Sequence, residues 1–232
     1  MGFQDVYDRA IALLGKDGAH FVEVGCWEGR SAAYMGVGIV NSGRKIRFDC
    51  IDTWEDAHNE YDYDIDGNIT MTAGSPKISG KDTFRKFLSN ISVFKDLADI
   101  RPIRKKSVEA AADYEDGSID FVFLDASHNV QDLYNDISAW LPKLKVSQGV
   151  IAGDDAEYIG VRVALIKSGL GVPDNPVVMS GGSYKSWIYT PFHMQKSWVS
   201  PKSVTEDFSS LEGHIQGSQE RLRQVLGINA HE

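Results

Sequence analysis

Two periods run along the chain. A period near two, or an unbroken apolar run, marks "AHFVEVG" (19–25), "KIRFDCID" (45–52) and "SIDFVFLDA" (118–126) as strands. The last has no polar side to show water, as expected of a strand covered on both faces. "DIRPIRKKS" (99–107) and "GVIAGDD" (149–155) read as two shorter strands. Between them, "RSAAYMGVGIV" (30–40), "KDTFRKFLSNI" (81–91), "VEAAADY" (108–114), "VQDLYNDISAWLPKL" (130–144) and "YIGVRVALIKSG" (158–169) carry helical spacing. Strand and helix alternate, which calls for a parallel sheet with right-handed crossovers. The pattern then changes: "NPVVMS" and "SYKSWIYTP" are joined by a Gly-rich turn and predict a hairpin, so an antiparallel strand closes the sheet. The polar, irregular segment 53–80 reads as a lid or substrate wall. The expectation is a single domain: an N-terminal helix over 1–17, a core over 18–190 and a C-terminal helical extension over 191–232.

Composition narrows the function. With 232 residues and 42% hydrophobic positions, the chain can bury the core of one α/β domain. The net charge of -9 opposes a phosphate backbone, and only "IRPIRKKS" (100–107) gathers basic residues, so no nucleic-acid partner is expected. No apolar run reaches membrane-spanning length. Asp5 and Arg9 interrupt the N-terminus where a signal peptide would be apolar. Cys26 and Cys50 lack any CxxC or zinc spacing and fit a reducing, cytoplasmic setting. Trp198 and the C-terminal segment offer a contact surface for a homo-oligomer.

In open α/β sheets the ligand lies beyond the carboxyl ends of the strands. Four places qualify. In "EVGCWEGRS", Glu23 ends the first strand while Gly25 and Gly29 let the backbone approach a ligand before a helix begins. The spacing is GxxxG, so the dinucleotide pattern GxGxxG is missing and an NAD-dependent reaction is disfavoured. Asp52 ends the second strand, where a carboxylate can accept both hydroxyls of a ribose. Asp125 with His128, and Asp154 with Asp155, end the fourth and fifth strands, which are expected to be neighbours. Three bare carboxylates at one point repel unless protonated or neutralised by a cation, and oxygen ligands favour Mg²⁺, with Mn²⁺ or Ca²⁺ as alternatives. His128 then suits a general base, while the plainer reading makes Ser127 or Asn129 a helix cap and His128 a solvated first-turn residue. "DYDIDGN" (62–68) opens like a calcium loop but has Ala73 where the closing glutamate belongs.

Taken together, "FVEVGCWEGRS", the acid of "CIDTW", "DFVFLDASH" and "GVIAGDD" resemble class I S-adenosylmethionine-dependent methyltransferases. The similarity is greatest to the metal-dependent O-methyltransferases of the macrocin and mycinamicin sugar type and their cephalosporin-hydroxylase relatives, and it covers roughly residues 18–190. It implies a Rossmann-like, doubly wound, mostly parallel seven-stranded sheet with an antiparallel closing hairpin and helices on both faces. It also implies that Glu23, Gly25, Gly29 and Ser31 surround the methionine part of S-adenosylmethionine, that Asp52 meets its ribose and Ser107 its adenine, and that Trp54 stacks nearby. Asp125, Asp154 and Asp155 match the metal ligands and His128 the catalytic base. The implied reaction methylates a hydroxyl of a small molecule, a sugar or vicinal diol. A hydroxylase-like relative and a non-catalytic nucleoside-binding module are the alternatives.

Overall fold

A computed structural model describes residues 3–55, 61–63, 69–71, 80–180, 186–191, 194–198 and 204–206. The chain opens with α1 (Phe3–Leu14), β1 (His20–Val24), α2 (Arg30–Ser42) and β2 (Arg47–Asp52). A short hairpin of β3 (Tyr61–Tyr63) and β4 (Ile69–Met71) follows, then α3 (Gly80–Ile91), β5 (Asp99–Arg104), α4 (Ser107–Ala111) and β6 (Phe121–Leu124). The rest runs α5 (Val130–Trp140), β7 (Val150–Gly153), α6 (Ile159–Lys167), β8 (Val177–Ser180), β9 (Ser186–Tyr189), α7 (Gln195–Trp198) and β10 (Val204–Glu206).

The main sheet has the order β10-β8-β9-β7-β6-β1-β2-β5. β5, β2, β1, β6 and β7 run parallel, and β9, β8 and β10 pair antiparallel beyond them. The expected Rossmann-like sheet with its closing hairpin is present. β10 adds an eighth strand at the edge, inside the segment expected as a C-terminal helical extension, of which residues 207–232 lie outside the described residues. β3 and β4 likewise replace part of the irregular lid, while most of the calcium-like loop, residues 64–68, falls outside the described residues.

Alternation along β1 divides the core. Phe21 belongs to the apolar layer beneath α1, α2 and α3, while Val22 and Val24 belong to the layer beneath α4, α5 and α6. Each face buries aromatic side chains, Tyr7, Phe121 and Phe123 on one and Trp140 and Trp187 on the other. Trp198 is fully buried and stacked on Phe121 at 6.4 Å, so it fastens the C-terminal segment to the core and is not the oligomer contact expected of it. Edge strand β5 is built from exposed charges around Pro102, which blunts pairing with another chain. Its basic residues are largely engaged: Arg101 pairs with Asp99, Lys105 with Asp113, and Arg104 donates to the carbonyls of Thr53 and Trp54. Among the described residues, no helix is long and apolar enough to cross a membrane.

Strand order reverses between β1 and β6: the chain proceeds outward from β1 through β2 to β5, then returns to β6 on the other side. The crevice this creates lies over the carboxyl ends of β1 and β6. Glu23, Gly25 and Asp125 all sit there.

Candidate active site

The turn after β1 is held by its neighbour. Asp52, last in β2, accepts hydrogen bonds from the amides of Cys26 and Trp27 on Oδ2, both at 2.9 Å, and from that of Trp54 on Oδ1 at 2.8 Å. A carboxylate has about four acceptor positions, so about one remains for a ligand hydroxyl. The two ribose bonds expected of Asp52 are therefore corrected to one, because three backbone amides already use this side chain. Trp54 is corrected too. Its ring is 2% exposed and packed against Phe84 and Phe87 at 4.7 Å, and its indole N–H donates to the Trp27 carbonyl at 2.8 Å, so no face is open for stacking. The indole that does meet solvent is that of Trp27, 55% exposed on a left-handed backbone with φ 42°.

Gly25 has φ 86°, and a Cβ there would sit 2.1 Å from the Asp125 carbonyl. Only glycine lets the two crossing points of the sheet touch. The turn after β1 and the acid-bearing turn after β6 are thus in backbone contact. α2 begins beyond Gly29, which has φ 82° and supplies no side-chain cap. Ser31, in the first turn, is buried.

Beneath this turn lies Glu23, fully buried, with neither carboxylate oxygen bonded within hydrogen-bond limits. Burial pushes its carboxyl up to about 7; Ser31, Tyr7 and Cys26 pull the other way, and the charge of Asp52 adds to the rise. An orphaned buried carboxylate is a costly feature that a ligand donor would relieve. The residues therefore fit the cationic amino-acid end of a sulfonium cofactor.

Across the crevice, Asp125, His128 and Asp155 bring one ligand atom each to within 4.8 Å of one another. His128 Nε2 and Asp155 Oδ2 are 2.6 Å apart, and the imidazole stacks on Tyr158 at 4.9 Å and 18°. A Cβ on Gly160 would meet the His128 carbonyl at 2.4 Å, so the start of α6 presses directly on the His128 backbone. Asn129, not His128, caps α5, its Oδ1 accepting from the amides of Gln131 and Asp132. Of the plainer reading of this turn, the Asn129 cap is present, while His128 is paired with Asp155 rather than a solvated first-turn residue. Asp155 itself takes a left-handed backbone, φ 60°, which turns it toward the histidine.

Asp154 stands apart from that trio. Its Oδ1 accepts from Ser186 of β9 at 2.9 Å, so the closing hairpin positions it. Its charge is still felt: loss of water, then Asp154, Asp155 and Glu23 in that order, raise the Asp125 carboxyl well above the usual range, with His128 opposing. Burial also raises Asp154, against the Ser186 bond and with Asp155 adding. Perturbed acids gathered in a crevice mark a functional site.

Ser107 is occupied elsewhere. Its hydroxyl accepts from Trp140 at 3.0 Å and bonds Asp136, joining α4 to α5, so the side chain expected at the adenine serves helix packing. Four participants escaped the sequence reading: Tyr7, Tyr158, Gly160 and Ser186. Tyr7 and Ser186 lie far along the chain from Glu23 and Asp154, and Tyr158 and Gly160 lie far from His128, so only the fold brings each to the group it touches.

The methyltransferase-domain family matches residues 22–156, more than half of the chain. The chain belongs to the S-adenosylmethionine-dependent methyltransferases. The methyltransferase shares its fold with "the O-methyltransferase NovP" at 13% identity and TM-score 0.52, over 81% of this chain and 77% of that one. It likewise shares its fold with CalS11, a TDP-rhamnose 3'-O-methyltransferase of calicheamicin biosynthesis, at 14% identity and TM-score 0.52, over 81% and 76% of the two chains. A putative rRNA methylase from Clostridium thermocellum gives 11% identity and TM-score 0.50, over 79% and 92%. No curated protein matches the methyltransferase in sequence.

Proposed function

We propose that this methyltransferase transfers the methyl group to a hydroxyl oxygen of a small molecule bearing neighbouring oxygens, a sugar or vicinal diol, with a divalent cation at the acids beyond β6 and β7. The observation that carries the reading is the trio Asp125, His128 and Asp155, converging within 4.8 Å beside the cofactor turn. Asp125 and Asp155 would hold the ion, with Asp154 steered by Ser186 as the third carboxylate. Oxygen donors suit Mg²⁺, and Mn²⁺ or Ca²⁺ next. When bound, such an ion acidifies a coordinated hydroxyl and orients the oxygens of its substrate.

The chain's own residues supply the rest. A carboxylate only accepts, so a neutral His128 ring paired with Asp155 carries its hydrogen on Nε2. A ring held in that tautomer by a carboxylate, with Tyr158 stacked on its face, is set to receive the hydroxyl proton as the oxygen attacks. The sugar reading gains from the shared fold with CalS11, a TDP-rhamnose 3'-O-methyltransferase.

The test offers S-adenosylmethionine with TDP-rhamnose, and separately with a catechol, in Mg²⁺ and in EDTA, and weighs the products. A gain of one methylene that needs Mg²⁺ supports the proposal, and His128→Ala should then lower turnover about 10²- to 10⁴-fold while leaving S-adenosylhomocysteine affinity intact. Equal methylation in EDTA would remove the metal. Gain of an oxygen instead would favour the hydroxylase-like alternative.

A further inference from the structure

α1 reaches the cofactor site. Its Tyr7 is fully buried, rests edge-on against Phe123 at 4.9 Å, and has a hydroxyl with no hydrogen-bond partner. That hydroxyl faces the Glu23 carboxylate, whose two oxygens are also unpartnered. The groups around Glu23 come from every element packed on it: Tyr7 from α1, Ser31 from α2, Cys26 from the turn, and Cys50 and Asp52 from β2, with the charge of Asp125 beyond β6. They are a phenol, a hydroxyl, two thiols and two further acids. Burial raises the phenol and both thiols, so these three stay neutral near pH 7. None of them can neutralise a carboxylate, and a carboxyl so enclosed holds its proton to a higher pH than a solvated one.

We infer that seating the cofactor's ammonium group beneath the turn after β1 releases a proton from Glu23, with Tyr7, whose hydroxyl faces that carboxyl, as the positioning residue. The balance is simple. The neutral carboxyl gives its proton to the buffer, and the carboxylate left behind is neutralised by the incoming ammonium and steadied by the Tyr7 hydroxyl. The inference rests on the assignment of Glu23 to the cofactor's amino-acid end.

The experiment is calorimetric binding of S-adenosylhomocysteine to the full chain in EDTA, in phosphate and in Tris, from pH 6 to pH 8. The difference in heat between buffers counts protons. With the Glu23 carboxyl titrating at about 7, release should fall from roughly nine-tenths of a proton at pH 6 to roughly one-tenth at pH 8. Tyr7→Phe keeps the ring in its apolar seat but removes the hydroxyl that favours the carboxylate, so the release curve should move to higher pH and the count at pH 8 should rise. A purely structural role for Tyr7 would leave the curve in place. Glu23→Gln should abolish the pH-dependent release. Binding with equal heats in both buffers would overturn the inference while leaving the cofactor site standing, and so would release that persists in Glu23→Gln, which would assign the proton to another acid. No binding of S-adenosylhomocysteine at all would overturn both the inference and the cofactor role of Glu23.

Discussion

The two ends of the same sheet treat their carboxylates in opposite ways. At the amino end, Asp49 is fully buried but saturated: His20 Nε2 lies at 2.8 Å, Arg47 donates twice at 2.9 and 2.6 Å, and Tyr114 donates at 2.8 Å. Asp120, 2% exposed, accepts from the His20 amide and from Lys145, with Lys16 nearby. At the carboxyl end, Glu23 has no cationic partner and no hydrogen bond to its oxygens, and Asp125 is surrounded by other acids. The strands are shared and the residue types are the same. The difference lies in donors: the amino end brings its own cations, and the carboxyl end is left to be completed by ligands. Burial with partners builds the fold, and burial without them stores free energy that binding can release.

The largest effect should come from emptying the saturated end. Asp49→Ala strands the Arg47 guanidinium and His20 beside a cavity, and unfolding by urea should show a loss of about 3 kcal/mol. Affinity for S-adenosylhomocysteine should stay the same, since none of these groups reaches the crevice; a large drop in affinity would break the contrast between the ends. The acid limb has a matching sign. Burial alone would raise the Asp49 carboxyl, but His20, Arg47 and Tyr114 hold it down to about 2, against an ordinary value of 3.8. Its contribution is therefore present above pH 3.8 and is lost as pH falls toward 2.

Strands covered by helices announce themselves, which is why β1, β2, β6 and β7 and the closing β8–β9 hairpin were legible from apolar runs alone. The acids of the crevice were legible for the same reason. A carboxylate directly after a buried strand has few structural excuses, and Asp125, Asp154 and Asp155 all stand there. What escaped depends on tertiary proximity. Tyr7 follows helical apolar spacing and reads as core, which it is, and nothing local shows that its hydroxyl meets Glu23. Asp52 was read as a ligand contact because it ends a strand and Trp54 because of the family resemblance, yet the turn of Cys26 and Trp27 claims both side chains first. β10 has three residues and too little pattern to distinguish it from its polar surroundings.

The next effect sharpens the contrast through pH. A raised carboxyl favours the folded state only while protonated, so Glu23 should cost stability as pH climbs from 4.5 through about 7, the reverse of Asp49. In the ligand-free protein, Glu23→Gln should be near neutral at pH 4 and stabilising at pH 8 by roughly 2–3 kcal/mol. Urea midpoints at the two pH values measure it. A variant less stable than the parent at pH 8 would mean that the carboxylate has found a partner after all.

The smallest effect divides the carboxyl end itself. Asp125 repels Asp154, Asp155 and Glu23, so Asp125→Asn in EDTA at pH 8 should raise the unfolding free energy by something on the order of 1 kcal/mol, one repulsive charge being removed from a partly dehydrated cluster. In excess Mg²⁺ the ranking should invert. The parent gains stability by mass action because the ion binds only the folded cluster, while the variant, one ligand short, gains little. Thermal melts of both proteins with EDTA and with Mg²⁺ give the four values required. If Mg²⁺ moves neither protein, the carboxylates serve the cofactor and substrate directly. If it moves both equally, the ion sits on Asp154 and Asp155 without Asp125, and the strand ends divide between them the work assigned here to one cluster.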